Sequence, residues 1–135
     1  MGMGLMNRIL CKIESIFYDE GLIFIRLRSG KHFLSAMLLE SQHILEVGRE
    51  VYAIFKETEV MVCDEGYSKI SARNRFVSRV VKVELGGVIA RVIFMFEGRE
   101  ISSLISLEAY RELEVGIDKK FGWFVKSSEV MLEYV

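Results

Sequence analysis

The sequence predicts an all-β chain built as two tandem five-stranded small barrels, each carrying one short helix. Three observations lead there. A set of residues recurs about half a chain apart, the apolar positions fall in short strand-like runs, and Gly, Ser and Asp mark the turns while proline is absent from all 135 residues.

The repeat is read from three anchors. Asn7-Arg8-Ile9 returns as Asn74-Arg75-Phe76, Val47-Gly48 as Val115-Gly116, and Val60-Met61 as Val130-Met131. The spacing drifts slightly, as expected where turns take short insertions. Between the anchors, Leu34-Ser35-Ala36 answers Ser102-Ser103-Leu104 and Phe55-Lys56 answers Val125-Lys126. The copies are placed at residues 6–63 and 71–133, joined by a segment too short to separate them.

In copy one, Ile9, Cys11 and Ile13 alternate with Leu10, Lys12 and Glu14, which predicts a strand with one buried face. Residues 22–27 are rich in β-branched and aromatic side chains, and the run ends at the turn Ser29-Gly30. Residues 51–55 and 60–63 are short apolar strands. In copy two, residues 77–85 run to the turn Gly86-Gly87, and residues 88–96 run to the turn Glu97-Gly98. One helix per copy is expected, over residues 40–45 and 107–113. Ser106 is placed to cap the second, with Glu108 in its first turn. Short strands at this density suit a closed or partly closed barrel of the oligonucleotide/oligosaccharide-binding type, which leaves few exposed edges. A copy this small is marginal alone, so the two are expected to pack together.

Composition narrows the function. With 51% hydrophobic and 27% charged residues the chain has a packed core, and 18 basic against 19 acidic residues argue against a general nucleic-acid binder. No apolar run approaches the ~20 residues of a spanning helix, and the first residues lack the pattern of a secretory signal. Cys11 and Cys63 suit small packing residues in a reducing cytoplasm. His32 and His43 have no metal-ligand partners at useful spacing, so no metal site is expected. No nucleophile–His arrangement or phosphate loop is present, so no catalytic residue is assigned. Trp123, Phe121 and Phe124 offer base-stacking surfaces, but with a near-neutral charge they read better as core residues.

What remains is donor chemistry. A tetrahedral oxyanion offers only acceptors, so its site must supply amides, hydroxyls and cations preset by the fold. Ser71-Ala72-Arg73-Asn74 places a hydroxyl and a guanidinium two apart, on one side of an extended segment. Lys126-Ser127-Ser128 sets an ammonium beside two hydroxyls, and Ser106 opens the predicted helix.

These same residues carry a resemblance. Residues 71–77, 87–92, Ile105-Ser106, 113–116 and 125–132 resemble the molybdate-binding Mop domain of the TOBE superfamily, most distinctively in Ser-Ala-Arg-Asn and Lys-Ser-Ser-Glu-Val-Met-Leu. Residues 7–62 resemble it more weakly. The chain is thus similar to tandem di-Mop proteins and to the C-terminal half of the molybdate-responsive transcription regulator. The resemblance implies molybdate or tungstate held at interfaces between copies, by Ser71, Arg73, Asn74, Ser106, Lys126 and Ser127 of copy two and Ser41 and Lys56 of copy one. It implies a cytoplasmic homo-oligomer, a trimer of tandem chains, without membrane or nucleic-acid partners. Copy one departs from the motif. It opens Leu5-Met6-Asn7, has Leu38 where copy two has Ser106, and carries Glu57, whose charge is expected to repel a dianion. Copy one therefore reads as scaffold. Storage or buffering of the oxyanion is the leading function. The alternatives are an oxyanion-sensing module acting with a molybdate transporter or a transcription factor, and, more weakly, an oligonucleotide-binding barrel.

Overall fold

The computed structural model describes residues 4–40, 45–66 and 69–135. Copy one contributes β1 (Met6–Asp19), β2 (Leu22–Ser29), β3 (His32–Leu39), β4 (Glu50–Lys56) and β5 (Met61–Cys63). Copy two contributes β6 (Asn74–Leu85), β7 (Ile89–Phe96), β8 (Arg99–Ser106), α1 (Leu107–Glu112), β9 (Lys120–Val125) and β10 (Met131–Tyr134). A single 3₁₀ turn precedes each last strand, at Glu57–Glu59 and Ser127–Glu129. The fold is all-β with one short helix among the described residues. Most of the other expected helix, over residues 40–45, lies outside them.

The long first strand of each copy is bent to serve two neighbours. In β1 the register slips between Ile13 and Ser15, so Met6 to Lys12 pair with β4 and the rest with β2. β6 slips at the matching place, between Val80 and Lys82, and divides itself between β9 and β7 in the same way. An extra residue at such a bulge bends and twists the strand, which curls each sheet toward a barrel. The residues facing inward along β1 are Asn7, Ile9, Cys11 and Ile13, so the alternation read from the sequence is the buried face.

The last strands are exchanged. One sheet has the order β10-β4-β1-β2-β3 and the other β5-β9-β6-β7-β8. Each copy thus lends its final strand to the other's sheet, antiparallel to β4 or β9. Alternation alone cannot reveal this, because it says which face is buried and not which segment supplies the neighbour.

The core runs continuously through both copies. Trp123 is fully buried, stacks on Phe55 and lies against Phe76, Phe94 and Phe96. Its indole N–H donates to Ser78 Oγ at 2.9 Å, which satisfies the buried ring nitrogen. Phe121 is buried too, so it and Trp123 pack the interior, whereas Phe124 is only half-buried and lines a surface cleft.

Candidate functional site

Each curled sheet ends on an edge strand, β3 or β8, whose free amides and carbonyls need partners. Side chains supply them. Asn74 of β6 donates Nδ2–H to Ser35 O at 2.9 Å and accepts from Ser35 N–H at 2.6 Å. Asn7 of β1 does the same for Ser102, at 2.9 and 2.8 Å. An amide side chain carries one donor and one acceptor in peptide geometry, so it stands in for a neighbouring strand. Both seams are then closed by the 3₁₀ turns. Ser127 Oγ meets Ser35 Oγ at 2.6 Å, and Ser103 Oγ donates to Val60 O at 2.6 Å. These pairings match Ser35 to Ser102 and Leu39 to Ser106. The sequence alignment of these serines, and of Leu38 with Ser106, is therefore corrected by one residue.

The seams differ in charge. At the β8 seam Glu57 is fully buried and Arg91 nearly so. Arg91 Nε and Nη2 reach the two carboxylate oxygens at 2.8 and 2.9 Å. Ser102 Oγ–H and Leu5 N–H complete the set at 2.7 and 2.9 Å. Burial alone would raise the Glu57 pKa, but the bonds from Arg91, Ser102 and Leu5 outweigh it and hold the carboxyl below its usual value. The sequence marked Glu57 only as a charge that would repel a nearby dianion. The structure instead neutralises it in the interior.

The motif residues of copy two lie beside the β3 seam. Ser71 and Arg73 are both exposed with Ala72 buried between them, in a bent segment rather than a strand. Arg73 folds back toward its own loop and donates to the carbonyls of Ile70 and Ser71. Ser71 and Lys126 line one open cleft of about 300 Å³, together with Met61, Phe124, Glu59 and Glu129. Lys126 is exposed at the start of its 3₁₀ turn, while Ser127 behind it is buried on Ser35. Asn74 is buried in its bonds to Ser35.

Ser106 stands elsewhere. It caps α1, accepting from Ala109 N–H at 3.0 Å, at the Ile89 end of the β7–β8 hairpin. Ser71 lies beyond the opposite end of β6, whose 12 residues would span roughly 35 Å if straight. Ser71 and Ser106 therefore lie at opposite ends of β6. In copy one, Lys56 is exposed before Glu57, and Ser41 lies outside the described residues, as does His43. His32 meets Glu97 at 2.7 Å and packs on Phe76 and Phe96. Among the described residues no group of three or more His, Cys, Asp or Glu is placed to hold a metal ion, and no helix is long and apolar enough to cross a membrane.

Sequence reasoning missed Ser35, Ser102 and the Glu57–Arg91 pair. The serines give no signal beyond the repeat. Arg91 does, because a cation inside the apolar run of residues 88–96 needs a buried partner.

Two five-stranded sheets with exchanged last strands define a small all-β class of protein, and comparison with known proteins gives it a family. A model of the TOBE domain matches residues 70–132. A probable molybdenum-pterin-binding protein of Haemophilus influenzae is 40% identical over 65 residues, which cover 47% of this chain and 94% of that protein. Molybdenum-pterin-binding protein 2 of Clostridium pasteurianum is 39% identical over 64 residues, again 94% of its length. The molybdenum transport protein ModE of Azotobacter vinelandii is 29% identical over 89 residues, but the match spans only 33% of that protein. The solved structure of the cytoplasmic molybdate-binding protein ModG, with molybdate bound, superposes with a TM-score of 0.89 at 26% identity over 96% of both chains. The chain belongs to the TOBE-domain family of these molybdenum-binding proteins.

Proposed function

We propose that this chain binds molybdate or tungstate as the free oxyanion and stores or buffers it in the cytoplasm, without catalysing a reaction. The observation that carries the reading is the shared exposure of Ser71, Arg73 and Lys126 beside the β3 seam, in a chain whose fold and relatives are those of molybdenum-binding proteins. Hydroxyl, guanidinium and ammonium groups are the donors a tetrahedral dianion needs. Asn74 and Ser127 enter as supports that hold β6 and the Lys126 turn on Ser35.

The cleft of one chain is incomplete. Glu59 and Glu129 line it beside Lys126, so a dianion there meets two acids for one ammonium. Further donors from a second chain offset that balance. Ser106, remote from Ser71 in its own chain, is the residue proposed to arrive from a neighbour, which makes the protein a homo-oligomer, a trimer in our reading. Lys56 and Ser41 form at most a partial counterpart in copy one.

Calorimetric titration with molybdate in excess sulfate tests this. Saturable binding that Arg73→Ala removes, in a variant that still folds, is the expected result. No heat and no retained molybdenum in the unmodified protein would overturn it. A regulatory role with a transporter or transcription factor is the second reading, favoured only by the similarity to ModE. A protein partner whose capture depends on molybdate would select it.

A further inference from the structure

The Glu57 carboxylate is held as a free anion would be. Two bonds from the Arg91 guanidinium, one from the Ser102 hydroxyl and one from the Leu5 amide converge on its two oxygens. Guanidinium, hydroxyl and backbone amide are the groups that recognise small oxyanions in general. All three sit on elements other than Glu57's own turn: Arg91 on β7, Ser102 on β8, Leu5 just before β1. Their placement comes from the sheet and from the Asn7 bonds to Ser102.

The repeat sharpens the point. Glu57 follows Lys56 and opens its 3₁₀ turn, as Ser127 follows Lys126 and opens the other. Where copy two has Arg91 on β7, copy one has Phe24 on β2. Cation and carboxylate thus occur together at one seam, while at the equivalent seam the Ser35 and Ser127 hydroxyls meet each other. Glu84, with Oε2 at 3.7 Å from Arg91, is a second acid near this guanidinium and is partly exposed.

We propose that the β8 seam is an oxyanion-accepting nest whose resident ligand is the chain's own Glu57 carboxylate. The native protein then takes no external anion there, and this junction stays closed whatever the oxyanion concentration. Emptied of the carboxylate, the nest accepts a small oxyanion of matching donor geometry, with formate nearest to the group removed. The inference is independent of the Ser71–Lys126 cleft, and its test is run with that cleft disabled.

The variant Glu57→Ala in an Arg73→Ala background empties the nest. Thermal unfolding is followed against sodium formate, sulfate and molybdate, with sodium chloride at equal ionic strength as the reference. The expected result is a saturable rise in Tm with at least one oxyanion beyond that with chloride, absent from Arg73→Ala alone. Adding Glu84→Gln should tighten that binding severalfold by removing the competing acid. A folded double variant that answers all three oxyanions as it answers chloride overturns the proposal. If the double variant is unfolded in chloride, refolding by an oxyanion supports the nest. Failure of every oxyanion to refold it, while a Glu57→Met, Arg91→Met pair in the same background folds, overturns it.

Discussion

Asn74 binds both the amide and the carbonyl of Ser35, and so completes the edge of a sheet that belongs mainly to the other copy. Replacing it with alanine leaves a buried N–H and C=O without partners, each a desolvated group costing about 1–3 kcal/mol. Asn74→Ala should lower the urea midpoint accordingly. Asn7→Ala should match it, since Asn7 does the same for Ser102. A change within experimental error for either variant would show that the seams do not depend on these amides.

Acidification should act through Glu57. Its carboxyl is desolvated, which raises its pKa, but the Arg91, Ser102 and Leu5 bonds lower it further, leaving the folded value below the unfolded one. The stability this contributes is complete above the ordinary glutamate value of about 4.3 and is lost as pH falls through it toward the folded value. Glu57→Gln should therefore flatten stability against pH below about 5. The same variant should lose about 3 kcal/mol at neutral pH, because buried Arg91 loses the charge of the carboxylate that its Nε and Nη2 bonds both reach. Chemical denaturation of both proteins from about pH 3 to about pH 7 checks both signs.

Gly122 faces the exchanged strand β5. A Cβ at this position would lie 2.6 Å from Cys63 Sγ, inside contact distance. Gly122→Ala should destabilise by about 1–3 kcal/mol through overpacking. Cys63→Ala removes the sulfur, so the double variant should recover much of the loss. Strict additivity in that double-mutant cycle would contradict the contact.

The two thiols should label in sequence. Cys11 is buried, and loss of solvent pushes its pKa up to about 11, so little thiolate is available. Cys63 is raised as well, by burial and by the nearby Asp64 charge, but it is only half-buried. A disulfide reagent at neutral pH should modify Cys63 in the folded protein and Cys11 only on unfolding. Mass spectrometry of partly labelled protein reads the order directly.

Much of the fold was legible in the sequence because it rests on local rules. Alternation at Ile9, Cys11 and Ile13 marks the inner face of β1, Gly98 at positive φ makes the hairpin turn its type implies, and Ser106 caps α1. The repeat anchor containing Asn7 and Asn74 also marked two residues with one structural job. The exchange of β5 and β10 was hidden, because strand pairing between distant segments leaves no mark on either segment's pattern. The candidate site was legible only in its exposed residues. Ser71, Arg73 and Lys126 are exposed, but the placement of Ser106 at the far end of β6 follows from the path of that strand, and the union of Glu57 with Arg91 follows from a seam between copies.

The exchanged strands make the covalent link between the copies topologically dispensable. Each sheet already contains chain from both halves, so residues 64–70 serve as a tether that keeps the halves at high local concentration. A chain cut there has no complete sheet in either fragment, yet each fragment carries the strand its counterpart lacks. The fragments should remain paired after cleavage, and should each fail to fold when made alone. In this sense the protein is an interlocked dimer written as one polypeptide, and its two halves are free to diverge, one seam acquiring a built-in ion pair, only because neither can leave the other.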